Sequence, residues 1–116
     1  MDVSIEARKA DKNVIVMDIV GRLAAGESGL LFRSVFQRCV AEGSGKFLVN
    51  LGGVSYIDSS GLGELITSHG SLRNGGGVVK LLNPSKRIRD LLKMTKLSNV
   101  FEIFDDEATA LQSFNA

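Results

Sequence analysis

Lys46–Arg73 reads KFLVNLGGVSYIDSSGLGELITSHGSLR, and the fold turns on this stretch. Phe47, Leu48, Val49 and Leu51 make a short apolar run bounded by glycines, the pattern of a central strand covered on both faces. Gly52-Gly53 reads as its end. After a loop comes a helical segment that places Leu62, Leu65, Ile66, His69 and Leu72 on one face and stops at Asn74-Gly75-Gly76-Gly77. Asp58, Ser59, Ser60 and Gly61 therefore fall in the first helical turn, at the carboxyl end of a central strand. Open α/β sheets carry their working surface there. The free N–H groups and dipole of a helix start also favour a negative charge at that place.

Upstream, Ser4–Arg8 reads as a strand and Asn13–Val20 (NVIVMDIV) as a stronger one, rich in β-branched residues and apolar on both faces except at Asp18. The stretch between them, Lys9-Ala10-Asp11-Lys12, is polar and short enough for a hairpin. Gly21 is read as the end of the second strand, and Arg22–Ser28 as a loop into a helix whose Phe32, Val35, Phe36, Cys39 and Val40 follow helical spacing. Gly43-Ser44-Gly45 stops that helix. Downstream, Val78–Leu82 predicts a strand. Asn83 as N-cap and Pro84 at the first helical position predict a helix turning Ile88, Leu91, Leu92 and Thr95 inward. Phe101–Phe104 predicts a last short strand. Asp105 and Asp106 open a final helix expected to bury Ala108, Leu111 and Phe114.

Strand-helix alternation of this kind implies a single α/β domain over residues 1–116: a mixed, mostly parallel sheet of about four to five strands with about four helices packed on it. A hydrophobic fraction of 44% is ample for its core. The net charge of +1, with six Phe and one Tyr, argues against nucleic acid, whose binders carry a basic stripe with interleaved aromatics. The densest basic run, Lys86, Arg87, Arg89, Lys93 and Lys96, has the spacing of a solvated helix face. The charged start MDVSIEARKADK does not read as a signal peptide, no segment reads as a membrane span, and Cys39 stands alone among apolar neighbours. A cytoplasmic protein is the expectation.

Several chemistries fail on spacing. One Cys and one His thirty residues apart do not make a metal site. Gly43-Ser44-Gly45-Lys46 lacks the first glycine and the Ser/Thr of a phosphate loop, with Val40 and Phe47 in their places. Gly61-Leu62-Gly63 lacks the third glycine of a dinucleotide fingerprint. Asp58, Ser59 and His69 name the members of a hydrolytic triad, but ten residues of helix put His69 about 15 Å from Ser59 along the axis, whereas a nucleophile and its base sit about 3 Å apart. His69 reads as a half-buried packing residue.

Two readings of Asp58-Ser59-Ser60 stand side by side on the residues alone. Ser and Asp are favoured helix caps. Yet one cap would suffice, and here three polar residues precede Gly61 and Gly63 on an exposed rim, where missing side-chain bulk lets another protein's active site approach the backbone.

The run Val54-Ser55-Tyr56-Ile57-Asp58-Ser59-Ser60-Gly61-Leu62-Gly63 resembles the signature of the STAS domain (sulfate transporter and anti-sigma factor antagonist), in its stand-alone bacterial anti-sigma factor antagonist form. The resemblance extends over nearly the whole chain, through Val16–Leu23, the helix start Asn83-Pro84-Ser85 with Arg87 and Ile88, and Leu97–Phe104. It implies that Ser59 is phosphorylated by an ATP-dependent serine kinase of histidine-kinase-like fold that is itself the anti-sigma factor, and dephosphorylated by a PP2C-type phosphatase. Ser60 would be its helix-starting neighbour and Asp58 the cap that orients the loop. The partner would dock on Asp58, Ser59, Ser60, Gly61 and Leu62 together with Gly21, Arg22, Leu23 and Ala24. The chain would be a substrate and binding module with no catalytic residue, metal or cofactor of its own, without nucleic acid or membrane insertion, with room for a weak homodimer.

Family members commonly show Gly-Glu-Leu-Asp where this chain has Gly21-Arg22-Leu23-Ala24, so an acidic pair becomes a basic and an apolar residue on the same rim. The resemblance also admits another role, a STAS subunit of a membrane transporter or a stress-signalling scaffold with a constitutive protein contact.

Overall fold

The computed structural model describes residues 3–114. β1 (Val3–Lys9) and β2 (Ile15–Leu23) form an antiparallel hairpin, joined through a single 3-10 turn at Asp11–Asn13. α1 (Glu27–Ala41), β3 (Lys46–Ile57), α2 (Ser59–Arg73), β4 (Val78–Leu82), α3 (Lys86–Met94), β5 (Ile103–Phe104) and α4 (Glu107–Ser113) follow. The five strands lie in chain order, β1-β2-β3-β4-β5, and every pair after the hairpin is parallel. A parallel neighbour needs a crossover, and the helices supply it.

Alternation along the strands divides the core into two layers. Met17, Ile19, Phe47, Val49, Leu51 and Leu81 face α1, α2 and α3, which contribute Phe32, Phe36, Leu62, Leu65, Ile88 and Leu92. Val14, Val16, Leu48 and Leu82 face the other way, where α4 covers them with Ala110 and Phe114. Fully burying a Leu, Ile or Phe side chain is worth about 1.5–3 kcal/mol. β3 is therefore the hub of the molecule, with Phe47, Leu48, Val49 and Leu51 all fully buried.

Both strands flanking the future rim outlast their glycines. Gly21 does not end β2, nor do Gly52 and Gly53 end β3; the two run on in parallel to Leu23 and Ile57, with register shifts near Asp18–Val20 and Gly21–Arg22. Gly53 permits this, because a Cβ there would lie 2.9 Å from the Ile19 carbonyl oxygen, and Gly21 takes φ 111° at the second shift. Of the loop expected at Arg22–Ser28, Arg22 and Leu23 belong to β2, Glu27 and Ser28 belong to α1, and Ala24, Ala25 and Gly26 form the turn between them. At its other end β2 starts at Ile15, because Asn13 sits in the left-handed region and closes the 3-10 turn.

The cap of α3 is Ser85, whose Oγ accepts the Ile88 N–H at 3.2 Å. Asn83 sits in the left-handed region instead, so helical geometry begins two residues later than expected. Several faces rotate by a residue or two relative to the expectation. Ile66 is exposed and Ser68 buried, since the inward stripe of α2 runs Leu62, Leu65, Ser68, Leu72. Val40, Thr95 and Ala108 are exposed, and Ala110 takes the inward place in α4. Phe101 is buried just before β5, which holds only Ile103 and Phe104.

Candidate functional site

Asp58 occupies the single residue between β3 and α2, with extended backbone (φ −114°), and caps the helix with its side chain. One carboxylate oxygen accepts the Gly61 N–H at 3.0 Å; the other accepts the Ala25 N–H at 3.3 Å across the gap to the turn after β2. These donors, Gly61 foremost, hold the Asp58 carboxyl below the usual carboxylate range. Ser28 fastens the same turn from below. Its Oγ accepts the Ala24 N–H at 2.8 Å and donates to the Ala24 carbonyl at 3.0 Å. An ion pair between Arg33 and Glu64 at 2.5 Å ties α1 to α2 alongside.

Upon this frame Ser59 and Ser60 are the first two residues of α2, and both are exposed. Gly61 is not: its backbone lies on the Leu23 carbonyl, and a Cβ there would collide with that oxygen and approach Ile57 Cγ1 to 2.8 Å. A Cβ on Gly63 would meet nothing within 4 Å. The two glycines expected to clear the rim thus differ. Gly63 leaves open space, whereas Gly61 lets the helix start press against the end of β2.

The segments read from sequence as one surface do converge. Arg22 pairs with Tyr56 and Leu23 with Ile57 across the β2–β3 register, one step before Asp58. Leu23 and Leu62 lie beneath the rim with buried side chains, while Arg22 is exposed and its guanidinium stands 4.3 Å from the Tyr56 ring centre. His69 takes no part. Its Nδ1 accepts the Val79 N–H at 3.3 Å, its ring packs 5.2 Å from that of Phe101, and burial lowers its pKa. Cys39 is buried, which pushes its thiol up. Among the described residues no three His, Cys, Asp or Glu side chains are placed to hold a metal ion, and no helix is long and apolar enough to cross a membrane.

Sequence reading missed the Ala25–Asp58 tie, the Ser28 clip and a groove of about 660 Å³ between the end of β3 and α3, floored by Ile57, Ile88 and Leu91. The clip left a local signal, a serine four residues after the alanine it holds. The groove left none, since its walls come from segments thirty residues apart.

Comparison with known proteins places this architecture. The family model described as STAS domain matches residues 4–110. The chain belongs to the STAS domain family. Among STAS relatives, the anti-sigma-B factor antagonist of Listeria monocytogenes is 31% identical over 103 residues, 89% of this chain and 90% of that protein. The crystal structure of an anti-sigma factor antagonist from Mycobacterium paratuberculosis superposes with a TM-score of 0.85 at 18% identity, covering 98% of this chain and 95% of that one. The Bacillus protein SpoIIAA, an anti-sigma factor antagonist solved in unphosphorylated and phosphorylated forms, superposes with TM-scores of 0.75 and 0.76 at 20% identity, over 97% and 96% of this chain and 99% of that one in each form.

Proposed function

We propose that this STAS domain is a cytoplasmic anti-sigma factor antagonist switched by phosphorylation of Ser59. In its unmodified form it docks on an anti-sigma factor that is also a serine kinase, and so frees a sigma factor; a PP2C-type phosphatase restores the binding form. The observation that carries this reading is the exposed Ser59 hydroxyl at the first position of α2, on a rim pinned by the two hydrogen bonds of Asp58. Ser60, Gly61, Leu62 and the Gly21, Arg22, Leu23 and Ala24 segment complete the docking surface: Ser60, Arg22 and Ala24 by contact, buried Leu23 and Leu62 by holding the backbone in place.

Phosphorylation adds about −1.5 to −2 charges. At a helix start the dipole favours that charge by about 0.3–1 kcal/mol, so the domain keeps its fold. Against an acidic kinase surface or the phosphates of its ATP the same charge repels, and each 1.4 kcal/mol is tenfold in affinity. The near-equal superposition of this chain on both forms of SpoIIAA supports a switch that works without refolding.

The test is mass spectrometry of the tryptic peptide Phe47–Arg73, which contains Ser55, Ser59, Ser60, Ser68 and Ser71 and no internal Lys or Arg. Protein isolated from native cells in growth and under stress should carry phosphate on Ser59 that changes with condition. With the kinase in hand, Ser59→Asp should bind at least tenfold more weakly than the parent, and Ser59→Ala should bind like the parent and not be released by ATP. A peptide that stays unmodified under all conditions, or equal binding by both variants, overturns the reading and favours a constitutive contact.

A further inference from the structure

Among the described residues five of the lysines and arginines stand in ion pairs. Arg8 is paired with Asp18 and Glu107, Arg33 with Glu64, Lys80 with Glu102, Lys86 with Asp90 and Arg89 with Asp105. Among the described residues neither Arg22 nor Arg87 has a carboxylate oxygen within 4.0 Å. Both stand at the groove between the end of β3 and α3: Arg87 lines it, and Arg22 lies over Tyr56, which lines the same wall. The groove floor is apolar, and Met94 at its end is 81% exposed, the most exposed large apolar side chain among the described residues. The one carboxylate that lines the groove, Asp90, is paired with Lys86, so the apolar trough beside the Ser59 rim is left with the two cations Arg22 and Arg87 and no carboxylate to meet them.

We propose that this groove is a second docking surface and that its occupant is an acidic amphipathic segment of the protein partner, with carboxylates meeting Arg22 and Arg87 and apolar side chains filling the trough toward Met94. The inference rests on the reading of the rim as a docking surface and adds the chemistry of what docks. The floor selects against a phosphate backbone, which would bring charge without apolar groups and would call for stacking aromatics, of which the groove has only Tyr56. Arg22 is suited to its place because stacking on Tyr56 pre-orders the guanidinium for a carboxylate.

The experiment uses the isotope-labelled chain and two synthetic helical 15-residue peptides with the same leucine stripe, one carrying glutamates along its flanks and the other lysines. The glutamate peptide should shift the amide resonances of Tyr56, Ile57, Arg87, Leu91 and Met94 and saturate, with affinity falling as salt rises. Arg22→Glu and Arg87→Glu should each weaken it about tenfold. Equal binding of the lysine peptide, shifts confined to other surfaces, or displacement of the glutamate peptide by a DNA duplex would overturn the proposal. None of these readouts depends on Ser59, so a silent groove beside a phosphorylated Ser59 would dismiss this inference alone, and an occupied groove beside an unmodified Ser59 would dismiss the switch alone.

Discussion

Gly61→Ala and Gly63→Ala, made separately, subject the geometry of the rim to a test with opposite signs. Alanine in place of glycine within a helix stabilises by about 0.5–1 kcal/mol, because the unfolded chain has less freedom to lose. At Gly63 nothing stands within 4 Å of the new methyl, so that gain should appear in full. At Gly61 the methyl meets the Leu23 carbonyl oxygen and carbon, with Ile57 Cγ1 at 2.8 Å. Backbone cannot rotate aside as a side chain can, so the overpacking cost should approach its usual upper value of about 3 kcal/mol. Setting the helical gain against it leaves a net loss of about 2 kcal/mol. For a domain of this length about 1 kcal/mol moves Tm by about 4 °C, which puts Gly61→Ala about 8 °C below the parent and Gly63→Ala about 2–4 °C above it. Thermal and urea denaturation followed by circular dichroism read both. A Gly61→Ala protein as stable as the parent would refute the claim that α2 starts in contact with the end of β2.

Three further outcomes are expected. Asp58→Ala should lower the urea midpoint at pH 7 by leaving the Gly61 and Ala25 N–H groups without their acceptor; because the folded carboxyl titrates below its unfolded value of about 3.9, parent and variant should converge as pH falls through the folded value, and a gap that persists in strong acid would contradict this. His69, held neutral by burial, should make the domain less stable as pH drops below the unfolded value of about 6.5, where the unfolded chain binds the extra proton; urea midpoints at pH 7.5, 6 and 5 should show this slope in the parent and a flatter one in His69→Phe. Lys80, 6% exposed, donates from Nζ to the Ser113 carbonyl at 3.2 Å and Oγ at 2.8 Å, so Lys80→Ala should cost about 2 kcal/mol and Lys80→Met, which keeps the buried stem, less, as measured by urea unfolding.

The strand-helix order was legible because each element carries its own period: Phe47, Leu48, Val49 and Leu51 are apolar on both faces, and Leu62, Leu65 and Leu72 recur at helical spacing. Strand ends were not. Gly21, Gly52 and Gly53 have the composition of breakers, yet each sits where two parallel strands slip past one another, which is a property of the pair. Asn83-Pro84-Ser85 offered two good caps in three residues, and only the left-handed backbone of Asn83 decides for Ser85. At the rim, Asp58 and Ser59 were legible through helix-start chemistry. The difference between Gly61 and Gly63 was not, for it depends on a carbonyl thirty-eight residues upstream of Gly61. Tyr56 and Met94 meet only through folding, so the groove had no trace in any window of the chain.

The strands lie across the sheet in the order in which they are made, and this bears on how the molecule is assembled. No strand has to be threaded between two already in place; each joins the edge left by its predecessor, so the sheet can grow in chain order, each parallel pairing waiting on the closure of its crossover. During synthesis the sheet can widen from β1 outward while α1, α2 and α3 cover one of its faces in turn. The opposite face waits. Val14, Val16, Leu48 and the Lys80 side chain stay open to water until Glu107–Ser113 arrives, and the docking of that seven-residue helix is the event that closes the domain.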